Sequence, residues 1–167
     1  MKTMPPERAA EVAEYVRSHW RYDHKTGEVC GRGHRPVGTR RPDGALQSLA
    51  HTPSGKVMVL IHRAAWLLRT GEWPDFEVDH ENGVRSDNRW VNLRHATHSQ
   101  NRQNLAGVTK KGRLRGATRY YNKWKAQIKV PGESAPRYLG LFATEEEAHA
   151  AYCWAKAELH PFNPEQR

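Results

Sequence analysis

The chain is poor in cysteine, in acidic residues and in long apolar runs. Its 167 residues include two cysteines, Cys30 and Cys153, too few for a disulfide framework or a four-cysteine zinc site. That usage fits a reduced, cytosolic setting. Asp and Glu number 18 against 27 Lys and Arg, a formal charge of +9. The longest apolar stretch, residues 57–68, is broken by His62 and Arg63 and falls far short of the roughly 18 residues that a membrane span needs. The first residues carry no apolar core of a signal peptide. Hydrophobic residues make up 37%, enough for a small core in one domain or two compact ones. The excess of positive charge favours a polyanionic partner. Nucleic acid comes before a membrane surface, because no strongly amphipathic basic helix is read.

Residues 6–20 are expected to form a helix: prolines open it, and Ala9, Val12, Ala13 and Val16 recur at helical spacing. Residues 22–29 read as strand–turn–strand about Gly27, and 31–44 as loop. Residues 46–49 and 56–61 form a hairpin about 53–55, followed by a helix over 62–70 that Gly71 and Pro74 close. Residues 76–91 look short-turned and polar, apart from one apolar approach at 76–78. Thr97 can cap a short helix reaching Asn104. A basic, glycine-containing linker is expected over 106–115. Beyond it, 117–121, 123–130 and 137–142 read as three strands. Thr144 and Glu147 then make a capping box for an alanine-rich helix to Leu159.

Chemistry-bearing residues concentrate in one stretch. Asp79 and His80 stand side by side after the short apolar approach, a turn at Gly83 follows, then Asn92, then Asn101 in the capped helix. A neutral imidazole, with a reference pKa of about 6.5, can take a proton from water near neutral pH. Carboxylate and amide oxygens suit a hard divalent cation such as Mg²⁺ or Mn²⁺, which can bridge a scissile phosphate and its leaving oxygen. Alone, an Asp–His pair is more often a turn feature; it is the whole spaced set that points to phosphodiester hydrolysis. His95 and His98 read as solvated polar groups, and Asp87 and Asn88 as residues that fix the turn. Arg85, Arg89 and Arg94 are candidates for phosphate contact or for plain solvated charge. For His62 and Arg63 the plainer reading is structural bonding at a helix start.

This stretch resembles the ββα-metal active site of HNH nucleases, in the subtype where asparagine replaces the second histidine. Residues 62–74 (HRAAWLLRTGEWP) and 22–27 (YDHKTG) resemble phage and intron-encoded homing members, so the likeness covers roughly 20–105. It implies His80 as general base, Asn92 as the residue holding His80 in orientation, and Asp79 and Asn101 as ligands of one Mg²⁺ or Mn²⁺. The flanking Cys-x-x-Cys pairs of zinc-braced relatives are missing, so no structural zinc is expected. One such site per chain implies nicking by a monomer or weak dimer, with 5′-phosphate and 3′-hydroxyl ends.

In the later module, Trp124, Ala126, Ile128 and Val130 alternate with Lys123, Lys125, Gln127 and Lys129, giving an apolar and a basic face. Arg119 and Arg137 on neighbouring strands are candidates for that basic face. Residues 106–129 hold eight Lys and Arg and no acid. A twisted antiparallel sheet can enter the major groove, where lysines neutralise phosphates and Gln or Arg read base edges. Residues 137–152 (RYLGLFATEEEAHAAY) resemble the APETALA-type (ethylene-response-factor) DNA-binding domain over roughly 107–162. That likeness implies double-stranded DNA contacts from the sheet, carried by Arg119, Lys123, Lys125, Gln127, Lys129 and Arg137, with Arg94 added from the nuclease part.

The expected fold class is therefore α+β: a small ββα-metal HNH domain followed by a three-stranded antiparallel sheet packed on one helix. The expected divisions are an N-terminal helix (1–19), the nuclease domain (20–105), the linker (106–115) and the DNA-binding domain (116–162). The expected function is that of a homing or phage-type DNA endonuclease acting in the cytoplasm, of the bacterial host if phage-encoded. It would need no organic cofactor and no membrane. The rival expectation is a DNA-binding regulator whose HNH scaffold does not turn over.

Overall fold

The computed structural model describes residues 4–103, 109 and 112–160; most of the expected linker and the ends of the expected last domain and of the helix to Asn104 lie outside them. The chain divides into two compact units, Met1–Thr97 and His98–Arg167. Among the described residues no helix is long and apolar enough to cross a membrane.

In the first unit, α1 (Pro6–His19) begins with proline in its first turn, where the missing N–H breaks no helical bond. The hairpin of β1 (Arg21–Tyr22) and β2 (Val29–Cys30) follows. Within the expected loop, β3 (Thr39–Arg40) adds a short edge to the long hairpin of β4 (Leu46–Thr52) and β5 (Gly55–Leu60), giving the order β3-β4-β5. The chain then runs directly into α2 (Ile61–Thr70). Last come β6 (Glu77–His80) and β7 (Leu93–Ala96), a separate antiparallel pair. Strand β7 is not expected from the residue pattern of 93–96.

Helix α1 packs into the core of the first unit. Its Val12, Ala13 and Val16 share one core with Trp20, Val29, Val57, Val59, Ile61, Leu67 and Val78. Burying one such aliphatic side chain is worth roughly 1.5–3 kcal/mol, so α1 helps hold the strand that carries Asp79 and His80.

In the second unit, α3 (His98–Gln103) is followed by β8 (Ala117–Tyr120), β9 (Lys123–Ile128) and β10 (Arg137–Phe142), ordered β10-β9-β8. Helix α4 (Glu145–Leu159) packs on all three strands. Its capping box is as expected: Thr144 accepts from Glu147 N, and the Glu147 carboxylate reaches back to the N-cap backbone. Ala126, Ile128 and Ala148 are buried between sheet and helix. The class is mixed α+β, as expected.

Candidate active site and basic sheet face

Strand β6 pairs with β7 in a register that sets Asp79 opposite Arg94 and His80 opposite Leu93. Asp79 and His80 are both 5% exposed. A buried carboxylate needs a partner, and Arg94 supplies it: Nε and Nη2 each lie 2.9 Å from Asp79 Oδ2. Arg94, a candidate DNA contact by sequence, thus spends its guanidinium on Asp79, because antiparallel register puts it directly across the ladder.

The loop between the two strands is knitted from its own side chains. Gly83 N donates to His80 O at 2.9 Å and Val84 N to Asn82 Oδ1 at 2.8 Å. Asp87 accepts from Asn82 Nδ2 and Arg89, and these bonds, the pair from Arg89 foremost, hold its pKa down at about 2. Asn92 accepts from Asn82 N at 2.9 Å and donates from Nδ2 to Asp87 O at 2.7 Å. Both polar atoms of the Asn92 side chain are therefore used in bracing the loop.

The contact with His80 comes from a different asparagine. His80 Nε2 lies 3.0 Å from Asn88 Oδ1, and Asn88 is 2% exposed. Asn92, expected to hold His80 in orientation, bonds Asn82 N and Asp87 O in the loop that carries Asn88. Its side chain points at residues 82 and 87 because the turn needs two internal bonds to close.

On another side the ring of His62 meets that of His80 edge-on, with centroids 5.0 Å apart and planes at 88°. His62 is half-buried, and its Nδ1, itself shielded from solvent, has no hydrogen-bond partner among the described residues. Burial, with His80 nearby, pushes the His62 pKa down to about 3. Burial also lowers that of His80, while the Asn88 bond and Asp79 pull the other way. Both rings are thus neutral near pH 7. Arg63 has the structural role expected of it: it bonds Phe76 O at 2.9 Å and Pro74 O, ordering the approach to β6.

These shifts have a consequence for stability. In the unfolded chain His62 titrates near the ordinary 6.5; in the folded chain it does so near 3. The unfolded state therefore takes the proton first. The contribution of neutral burial is complete above pH 6.5 and is lost as pH falls toward 3, at on the order of 1 kcal/mol per pH unit. Thermal unfolding of the full chain between pH 7.5 and 4.5 should show the first unit's transition falling steeply. His62→Phe, which keeps the ring but not the titration, should flatten that fall; an unchanged slope would contradict it.

A further neighbour could not be foreseen from spacing. Tyr22 Oη donates to Asn88 O at 2.7 Å, and Trp90 N donates to His24 O at 3.1 Å. The hairpin β1–β2 thereby rests on the loop that carries Asn88. Burial pushes the Tyr22 pKa up to about 12, so the phenol keeps its proton.

Asn101, the other expected ligand, is half-buried on α3, in the second unit. Among the described residues no three of His, Cys, Asp and Glu gather as a metal site. The carboxylate of Asp79 is the kind of oxygen ligand that suits a hard ion such as Mg²⁺, which keeps several waters and leans on substrate phosphate.

On the sheet of the second unit, register sorts the expected DNA contacts. Lys123 lies opposite Tyr120, Lys125 opposite Thr118 and Leu141, and Gln127 opposite Tyr138. Directly opposed residues share a face, so these form one face away from the buried Ala126 and Ile128. Lys129 follows at the strand end, where its ammonium donates to Ser134 O at 2.8 Å and to Glu133 O. Arg119 and Arg137 belong to the other face, contrary to expectation, since they stand opposite Trp124 and Ile128. The Arg119 guanidinium lies 5.4 Å from the Trp124 ring centroid, and Arg137 pairs with Glu133. In their place the lysine face presents Tyr120 and Tyr138, 48% and 59% exposed.

Comparison with known proteins bears on the first part of this arrangement. The chain is similar to the HNH homing endonuclease I-HmuI, in a structure describing DNA binding and cleavage by that protein. Identity is 23% and the TM-score 0.45, over 56% of this chain and 55% of that one, so the chain spans about half of that protein's length. No curated protein sequence matches the chain. Residues 59–103, from within β5 through α2, β6 and β7 to the end of α3, match the model of the HNH endonuclease family.

Proposed function

We propose that the protein is a metal-dependent DNA endonuclease of the homing or phage type that nicks duplex DNA, with His80 as general base. The observation that carries this reading is a buried imidazole with one nitrogen tied to Asn88, beside the buried carboxylate of Asp79. An imidazole so held is ready to take a proton from a water attacking phosphorus.

Asp79 and Asn101 would hold a divalent ion, Mg²⁺ or Mn²⁺. That ion would stabilise charge on the phosphate and on the leaving 3′ oxygen. The rest falls to the chain itself. Asn88 fixes the ring of His80, the ring of His62 packs perpendicular to it, and Arg94 orders Asp79. Asn92 and Asp87 keep the intervening loop closed. For the second unit the reading is an APETALA-type DNA-binding domain. Its grip comes from the face of Lys123, Lys125 and Gln127, with Lys129 beside it and with Tyr120 and Tyr138 where arginines were expected.

The test is relaxation of supercoiled plasmid by the full chain with Mg²⁺, with Mn²⁺ and with EDTA. Nicked circles carrying 5′-phosphate ends are expected with either ion and none with EDTA. Retention of plasmid without cleavage under every ion would favour the rival, a DNA-binding regulator on an inactive HNH scaffold.

A further inference from the structure

We propose that hairpin β1–β2 is a positioning element for the base: Tyr22 and Gly27 set the place of Asn88, and Asn88 sets the ring of His80 so that Nδ1 is its basic atom. The proposal rests on reading His80 as the base.

The proton assignment follows from the bonds. Asn88 Nδ2 points to Ser86 O at 3.5 Å, which leaves Oδ1 toward His80 at 3.0 Å. A carbonyl oxygen only accepts, so His80 Nε2 carries the hydrogen. In a neutral imidazole the lone pair then sits on Nδ1. Asn88 Oδ1 is thus spent on the imidazole and not on closing a local turn.

What holds Asn88 is the hairpin, some sixty residues earlier in the chain. Three consecutive loop residues are docked on it. Asn88 O accepts from Tyr22 Oη at 2.7 Å, and Trp90 N donates to His24 O at 3.1 Å. Between them, Gly27 sits so close that a Cβ there would lie 2.4 Å from Arg89 N and 2.7 Å from Asn88 C. Gly27 has φ +79°, so only glycine meets both the close approach and the left-handed turn. The hairpin is itself stiff: Asp23 Oδ1 accepts from Lys25 N at 2.8 Å, and Gly27 N donates to Asp23 O at 2.8 Å. A phenol, a turn and a glycine thereby fix a backbone carbonyl whose own side chain fixes the imidazole.

The experiment is ¹⁵N-resolved NMR of the histidine rings in the full chain at pH 7.5, paired with nicking kinetics. In the wild type a ring proton on His80 Nε2, slow to exchange with solvent, is expected. Asn88→Ala should abolish that resonance and lower kcat at least about fivefold, the scale of one lost hydrogen bond, with KM for DNA unchanged. Asn88→Asp, which keeps the acceptor, should retain the resonance. Tyr22→Phe removes one hydroxyl and should speed exchange of the same proton while lowering kcat and sparing KM.

A proton found on Nδ1, or Asn88→Ala with resonance and kcat intact, overturns the assignment. Tyr22→Phe with unchanged exchange and kcat overturns the role of the hairpin, whether or not Asn88→Ala folds. Failure of the base reading looks different: the ring proton stays as described while His80→Ala cleaves as fast as wild type.

Discussion

His80→Ala is expected to lower the nicking rate at least about 100-fold, since positioned general bases contribute on the order of 10²–10⁴. Retention of DNA should not change. The ring lies beneath the surface, 5% exposed, and holds no cationic charge near pH 7 that could grip phosphate. Its removal takes away a proton acceptor and leaves the lysine face of the other unit untouched. Truncation also empties the space between His62 and Asn88, so the thermal transition of the first unit should fall. Nicking is therefore measured well below that transition, beside filter retention of the same plasmid. Loss of retention in step with cleavage would mean that the residue binds and does not catalyse.

The other large effect is structural and separates the units. Gly116 has φ +80°, and a Cβ built on it would lie 2.0 Å from Cγ of Tyr152 and 2.2 Å from its Cδ2. Its carbonyl accepts from Gln127 N at 3.1 Å, so the residue also fixes the start of the β8–β9 pairing. Gly116→Ala adds the left-handed cost, roughly 1–2 kcal/mol, and forces the ring of Tyr152 out of its place. Losing the packing of a large aromatic costs about 3 kcal/mol or more. Calorimetry of the full chain should show the second unit's transition collapsing while that of the first stays. DNA retention should weaken with it. Lys125→Ala should weaken retention as well, but with both transitions unmoved. If Gly116→Ala leaves both transitions where they are, the close packing of Tyr152 is wrong.

How much of this could be read from the sequence depended on distance along the chain. Asp79 and His80 were legible because punctuation at Gly83, Asn92 and Thr97 is local. The capping box of α4 was legible for the same reason, with both partners three residues apart. Strand β7 was not: of its four residues only Leu93 and Ala96 are apolar, and both are buried, so no alternation announces it. The faces of β9 followed from its own alternation, but the placement of Arg119 depends on register. Register is set by a turn in which Tyr121 takes φ +50° and which pairs Tyr120 with Lys123. Composition could not supply that turn type. Asn88 looked like one more turn residue, since the ring it serves and the phenol that holds it lie 8 and 66 positions away. His62 is separated from His80 by most of a helix and a loop, and only the packed core brings their rings together.

The docking of residues 22–27 on the loop after β6 means that the stretch defined by family likeness and the stretch that keeps its shape are different lengths of chain. The match begins at residue 59, yet the phenol, the carbonyl and the backbone approach that steady this loop, and the helix that shares a core with β6, all come from residues before 31. A fragment starting at 59 would carry every recognisable motif and lack its frame. Transplanting the motif into another protein would therefore move the letters of the site without its tolerances, and the first thirty residues should be counted as part of the machine.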